Sequence, residues 1–245
     1  MKKRITALVL ALLMVLGLAA CGGDKTGGGD KSGEKILRVA ESFAYPSLDA
    51  HKEYYGWYTS IYGITEALFK MGDDSSVQPC LAESWTKSED GLTWTFKIRE
   101  GVKWQRYDGS EYGENVKAED WVTTAKWILD PANTARTADL LFDMVGAKDY
   151  YMALESGTEA NWDNVGIKAI SEYELQFTLT APCPWFLSRL TYNWGYPTCA
   201  KFLDEMGESF GTNNDTILYC GAFLCSQYEP NSYVISTRNP LYWDI

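Results

Sequence analysis

The chain carries a single histidine, His51, and six cysteines at positions 21, 80, 183, 199, 220 and 225. Cys–His or Ser–His nucleophilic catalysis would need His51 as its base, because imidazole can take a thiol or hydroxyl proton near neutral pH. The alternative is a polar residue at a helix start near the domain surface, and the setting Leu48-Asp49-Ala50-His51 favours it. No two cysteines stand in C-x-x-C spacing, which argues against a zinc site. A P-loop and a G-x-G-x-x-G turn are also absent from the sequence. The residue types therefore point away from an enzyme and give no metal or cofactor to hold. With Cys21 set aside, the odd number left (Cys80, Cys183, Cys199, Cys220, Cys225) leaves at least one thiol free or paired elsewhere. Small buried hydrophobes are the expectation for them. Ten Trp and sixteen Tyr would suit stacking surfaces, but core packing gives the same count and is expected for most.

The amino terminus supplies an address. Lys2, Lys3 and Arg4 precede an apolar run from Ile5 to Ala20, closed by Leu18-Ala19-Ala20-Cys21. That run is short for a membrane span, and basic, apolar, then small residues make a secretory signal. Small residues directly before a Cys, followed by Gly22-Gly23, resemble the lipobox of bacterial lipoproteins. The resemblance implies cleavage before Cys21, lipidation of its thiol, and a protein held on the extracellular or periplasmic face of the cell membrane. Residues 22–35 are Gly-rich and polar, a flexible tether averaging about 20 Å. Cleavage leaves 33 acidic against 19 basic residues, a charge of −14 instead of −11. So acidic a chain is a poor partner for nucleic acid, whose phosphates need Lys and Arg.

The elements beyond the tether mix hairpins with helices. Ile36 to Ala40 reads as a short opening strand, and Tyr54 to Met71 as helix-permissive, with Tyr58, Ile61, Tyr62, Thr65, Leu68 and Phe69 on one side. Leu92, Trp94, Phe96 and Ile98 alternate with Thr93, Thr95, Lys97 and Arg99, a strand with one apolar and one wet face. Asp90-Gly91 suits the tight turn before it, and Trp85 belongs to the preceding strand. Val102-Lys103-Trp104 follows, and then Trp121, Val122, Ala125, Ile128 and Leu129 fall at helical spacing up to Asp130-Pro131. Thr137 to Leu154 is expected to be helical, 165–170 and 174–179 to be paired strands, and 184–190 and 199–206 to be short helices. The segments 221–224 and 233–237 flank a turn at Glu229-Pro230-Asn231-Ser232. This order predicts a mixed α/β (α+β) fold and not a doubly wound sheet.

Eight strings occur in one order across Leu37 to Asp244. They include Leu48-Asp49-x-His51, Ala82-Glu83-Ser84-Trp85, Trp94-Thr95-Phe96-x-Ile98-Arg99-x-Gly101-Val102-Lys103-Trp104, Val116-Lys117-Ala118-Glu119-Asp120, Gly221-Ala222-Phe223 and Asn239-Pro240-x-Tyr242-Trp243-Asp244. Together they resemble the oligopeptide/dipeptide-binding family of ABC-transporter solute-binding proteins. The resemblance implies a periplasmic-binding-protein-like (class II) architecture, with residues 1–20 as signal peptide, 21–35 as lipidated Cys and tether, and 36–245 as the amino-terminal lobe. Two departures stand out. Gln105-Arg106-Tyr107 lengthen the loop before Asp108-Gly109, and Cys220 replaces a residue that is often Asn or Ser. Family members are about twice as long, with a second lobe closing over ligand, so the chain reads as an incomplete first lobe.

The implied function is capture of extracellular peptides in an interlobe cleft and delivery to ABC permease subunits, by a monomer that needs no cofactor. Positions matching cleft-facing segments are Ser42, Phe43, Ala44 and Tyr45, and Cys220, Gly221 and Ala222, with Gly221 allowing backbone to approach ligand. Trp194 is a further candidate, with core packing as its alternative. Relatives of this architecture also take oligosaccharides, nickel complexes or haem, and an isolated first lobe would expose sheet edges and apolar surface, be marginally stable and be unable to close over ligand.

Overall fold

Residues 36–38, 47–52 and 63–244 are described by the structure, a computed structural model. The chain divides into two compact units, Met1–Ser42 and Phe43–Ile245. In the first, Ile36, Leu37 and Arg38 carry no regular secondary structure. The signal peptide, Cys21, the tether and the rest of the expected opening strand lie outside the described residues.

In the second unit the strands are β1 (Phe69–Met71), β2 (Val77–Pro79), β3 (Ala82–Lys87), β4 (Thr93–Ile98), β5 (Lys103–Gln105) and β6 (Glu111–Asn115). Helices α1 (Glu119–Leu129) and α2 (Ala147–Glu155) come next, then β7 (Ile167–Ser171) and β8 (Glu174–Thr178). The short helices α3 (Phe186–Arg189) and α4 (Ala200–Met206) precede the closing hairpin of β9 (Phe223–Glu229) and β10 (Tyr233–Arg238). The main sheet runs β3-β4-β8-β7, antiparallel throughout, and β1-β2, β5-β6 and β9-β10 are separate two-stranded ladders.

The sheet is centred on β4 because its side chains alternate as the sequence requires. Trp94, Phe96 and Ile98 are buried, while Thr93 and Thr95 are half-buried and Lys97 is exposed. At Gly91 the backbone has φ +72°, and the Asp90 carboxylate accepts from Leu92 N at 3.0 Å, which closes the β3-β4 turn. Phe96 sits edge-on to Phe69 at 5.7 Å and to Phe177 at 5.8 Å, the geometry that aromatic quadrupoles favour. The apolar stripe of α1 buries Trp121, Val122, Ala125, Ile128 and Leu129. The helix ends where Pro131 can no longer donate, and Asp130 caps the following turn by accepting from Ala132 N at 2.9 Å.

Three expectations are corrected. The 54–71 segment is not helical in its described part: 63–68 is irregular and Phe69–Met71 is a strand paired with Val77–Pro79. Sheet pairing outweighs its helix-permissive composition. The 137–154 segment breaks into a 3-10 turn over Ala138–Leu141 and α2, with Gly146 at φ +69° between them. A Cβ at Gly146 would lie 2.3 Å from Asn164 O, so chain packing fixes the break. His51 is not near the surface but 3% exposed.

Candidate functional site

A cavity of about 500 Å³ is walled by three segments, 63–71, 188–196 and Ala222, with Cys80 at one side. The 63–67 wall is irregular backbone tied down at both ends. Phe223 N donates to Gly63 O at 2.9 Å and Gly221 N to Ile64 O at 3.3 Å. Leu81 N donates to Ala67 O at 3.1 Å, and Leu68 N to Gly195 O at 3.0 Å. Thr65 and Glu66, between these ties, present their side chains along the cavity. The rim is formed by two exposed side chains of opposite walls, Met71 and Tyr192, with Lys70 beside them. An amphipathic rim over a polar wall can hold an apolar body and satisfy hydrogen-bonding groups beneath it.

Electrostatics set Glu66 apart. Its two carboxylate oxygens accept from Tyr242 OH and from Trp243 Nε1, the latter at 2.7 Å. Burial and this carboxylate push the Cys80 thiol and the Tyr242 phenol well above their ordinary values. Burial likewise pushes the Cys220 thiol up to about 12. These thiols are therefore un-ionised, and the thiolate that a nucleophile or metal ligand needs is disfavoured.

Of the positions expected at a cleft, Ser42, Phe43, Ala44 and Tyr45 lie outside the described residues. Ala222 lines the cavity. Cys220 lies behind the wall, 1% exposed, with Sγ 3.5 Å from Thr65 Oγ1. Gly221 makes a close backbone approach, but to the chain itself: a Cβ there would lie 2.2 Å from Gly63 O. Trp194 is in the core, 3% exposed, while its neighbours Asn193 and Tyr196 line the cavity. Glu66, Lys70 and Tyr192 were not anticipated. The first two fell in the supposed helix, and Tyr192 carries no signal beyond an aromatic beside a turn.

His51 belongs to a buried polar network next to this site. Its Nε2 lies 3.1 Å from Thr198 Oγ1, while its backbone N donates to Asp49 Oδ1 at 2.9 Å. Asp49 Oδ2 accepts from Trp127 Nε1 at 2.9 Å. No well-formed hydrogen bond reaches His51 Nδ1. Burial pushes the imidazole below 6.5, against the opposing pull of Asp49 and the Asn193 backbone. A second buried carboxyl, Asp120, accepts from Trp104 Nε1 at 2.9 Å and Lys117 N at 3.0 Å. Burial still pushes it up to about 7.

These shifts oppose each other. The folded state keeps a proton on Asp120 between about pH 4 and 7 that the unfolded chain has released, so this contribution to stability is lost as pH rises. For His51 the unfolded chain takes up the proton first, so stability is lost as pH falls through 6.5. Asp120→Asn keeps an acceptor for both donors and removes only the first slope. Thermal melts of that variant, followed from about pH 4 to 8, are expected to gain relative to the parent as pH rises, by about 1.4 kcal/mol per pKa unit of the shift. A parallel profile would mean that Asp120 does not titrate in this window.

Among the described residues no helix is long and apolar enough to cross a membrane, and no group of three potential ligands is placed to hold a metal ion. The family described as bacterial extracellular solute-binding proteins, family 5, matches residues 76–244. The oligopeptide-binding protein AmiA of Streptococcus pneumoniae is 36% identical over 250 residues, covering 99% of this chain and 36% of that protein. The substrate-binding domain of an oligopeptide ABC transporter from Bacillus anthracis superposes with a TM-score of 0.73 at 30% identity, over 84% of this chain and 38% of that one. OppA of Haemophilus influenzae in complex with RPPGFSPFR superposes at 0.70 with 26% identity, over 82% of this chain and 37% of that one. The chain thus spans little more than a third of the length of these relatives. Its mixed helix-and-sheet fold is that of the corresponding part of periplasmic-binding-protein-like oligopeptide binders.

Proposed function

The chain belongs to the bacterial extracellular solute-binding proteins of family 5, and from that premise we propose that it captures peptides for an ABC importer. In this reading residues 36–245 form one lobe of a cleft, and the loaded protein delivers its peptide to permease subunits in the membrane. A peptide is bound as an extended main chain against cleft-edge backbone, with side chains left to tolerant pockets. The observation that carries the reading is the cavity of about 500 Å³ lined by the 63–67 segment, with the exposed side chains of Tyr192 and Met71 beside it. Ser42 to Tyr45 and Ala222 belong to the same cleft in this proposal, with Gly221 and Cys220 supporting Ala222 from behind. Trp194 acts through packing, and His51 is a buried structural residue without a catalytic task.

Calorimetry on the mature protein from its own gene tests the proposal. Heat and saturation are expected with RPPGFSPFR or with a pool of short peptides, and none with cello-oligosaccharides. Heat from the sugars alone would replace the peptide reading with the carbohydrate one that the aromatic content allows.

The anchor is part of the same proposal. Cleavage before Cys21 and lipidation of its thiol would hold the protein on the outer face of the membrane by two or three acyl chains, firmer than a single chain achieves. Cys21→Ser is expected to move the protein from the membrane fraction to the medium or periplasm. Retention of that variant on washed membranes would show another mode of attachment.

A further inference from the structure

Four residues that wall the cavity also hold the segment 239–244. Ala222 O accepts from Asn239 N at 2.8 Å, and the adjoining Gly221 O accepts from Asn239 Nδ2 at 2.7 Å. The Cys80 carbonyl accepts from Arg99 Nε at 3.2 Å, and the Arg99 guanidinium lies 4.0 Å from the centre of the Trp243 ring. Lys70 Nζ is 3.7 Å from Asp244. Glu66 makes the most direct tie, one carboxylate oxygen to Tyr242 OH and the other to Trp243 Nε1. Hydrogen bonds to an ionised acceptor are about twice as strong as neutral ones. Here both act between positions 176 and 177 residues apart in the chain. A group placed in the cavity against Glu66 therefore meets a side chain that is hydrogen-bonded to both of this segment's aromatics.

We infer that Glu66 is a positioning residue that ties occupancy of the cavity to the placement of Tyr242 and Trp243. The inference rests on the peptide-capture reading and adds to it the route by which a filled cavity changes the chain at 239–244. A carboxylate suits the task because both oxygens accept. An amide offers one acceptor and turns an N–H toward one of the two donors, which leaves a half-buried donor without its acceptor.

The test uses the mature protein labelled with 5-fluorotryptophan, the Trp243 resonance being assigned through Trp243→Phe. Saturation with RPPGFSPFR, or with a pool of short peptides, is expected to shift that resonance in the parent. In Glu66→Gln the shift is expected to vanish, with peptide affinity lowered about tenfold and Glu66→Asp recovering part of both. Tyr242→Phe removes one donor without touching the carboxylate, and serves if Glu66→Gln fails to fold. It is expected to weaken the Trp243 response without abolishing it. Peptide heat with no movement of Trp243, or an unchanged response in Glu66→Gln, overturns the inference and leaves peptide capture standing. No heat from any peptide removes both.

Discussion

Gly221→Ala is expected to unfold one wall of the cavity and to destabilise the protein by about 3 kcal/mol or more. A Cβ at 221 would lie 2.2 Å from Gly63 O and 2.8 Å from the carbonyl carbons of Gly63 and Ile64. All three are backbone atoms, so no side chain can swing away, and the 63–64 segment itself must retreat. That retreat breaks the bonds from Gly221 N to Ile64 O and from Phe223 N to Gly63 O. Each backbone bond contributes about 1 kcal/mol net, and overpacking in a dense interior costs about 1–3 kcal/mol. Against a total stability of about 5–15 kcal/mol the loss is large. Urea unfolding should show a lower midpoint with the same slope, and peptide binding should weaken in step because Thr65 and Glu66 move with the displaced segment. A stability within about 0.5 kcal/mol of the parent would mean that the two segments are not in contact.

The same contact explains what the sequence could and could not reveal. Local pattern was enough where neighbouring residues decide the structure. The alternation from Leu92 to Arg99, the Asp90-Gly91 turn and the Asp130-Pro131 stop all appear in the fold as read. The paired strands β7 and β8 and the β9-β10 hairpin do as well. Pattern failed where a partner far along the chain decides. Residues 63–71 read as helix-permissive, yet they are held in non-helical backbone by Gly221, Phe223 and Gly195, more than 120 positions away, and by Val77–Pro79. The cavity wall is made by that misread segment, so Glu66 and Lys70 were invisible as site residues. A glycine that must approach something closely was legible at 221, but what it approaches was not. In His51 the polar type suggested surface, whereas the residue is buried, with Asp49 and Thr198 as its hydrogen-bond partners.

Trp194 offers the sharpest separation of packing from binding in a chain this rich in aromatics. It is 3% exposed, edge-on to Phe177 at 6.0 Å, tilted against Phe186 at 6.0 Å, and has the Arg189 guanidinium 5.7 Å from its ring centre. Phe177 and Phe186 in turn pack on Phe96, so Trp194 joins the 188–196 wall of the cavity to the centre of the sheet. Trp194→Ala is expected to cost about 3–5 kcal/mol, the range for emptying a buried aromatic site. A loss of that size endangers folding, so Trp194→Phe is the more informative variant. It keeps an aromatic ring against Phe177 and is expected to cost about 1–2 kcal/mol. Peptide affinity, measured by calorimetry well below the melting temperature, is expected to stay within about threefold of the parent, because only Asn193 and Tyr196 of this turn reach the cavity. The opposite result, affinity lost more than about tenfold with an unchanged melting temperature, would place the indole on the ligand and require the 188–196 wall to open when peptide binds.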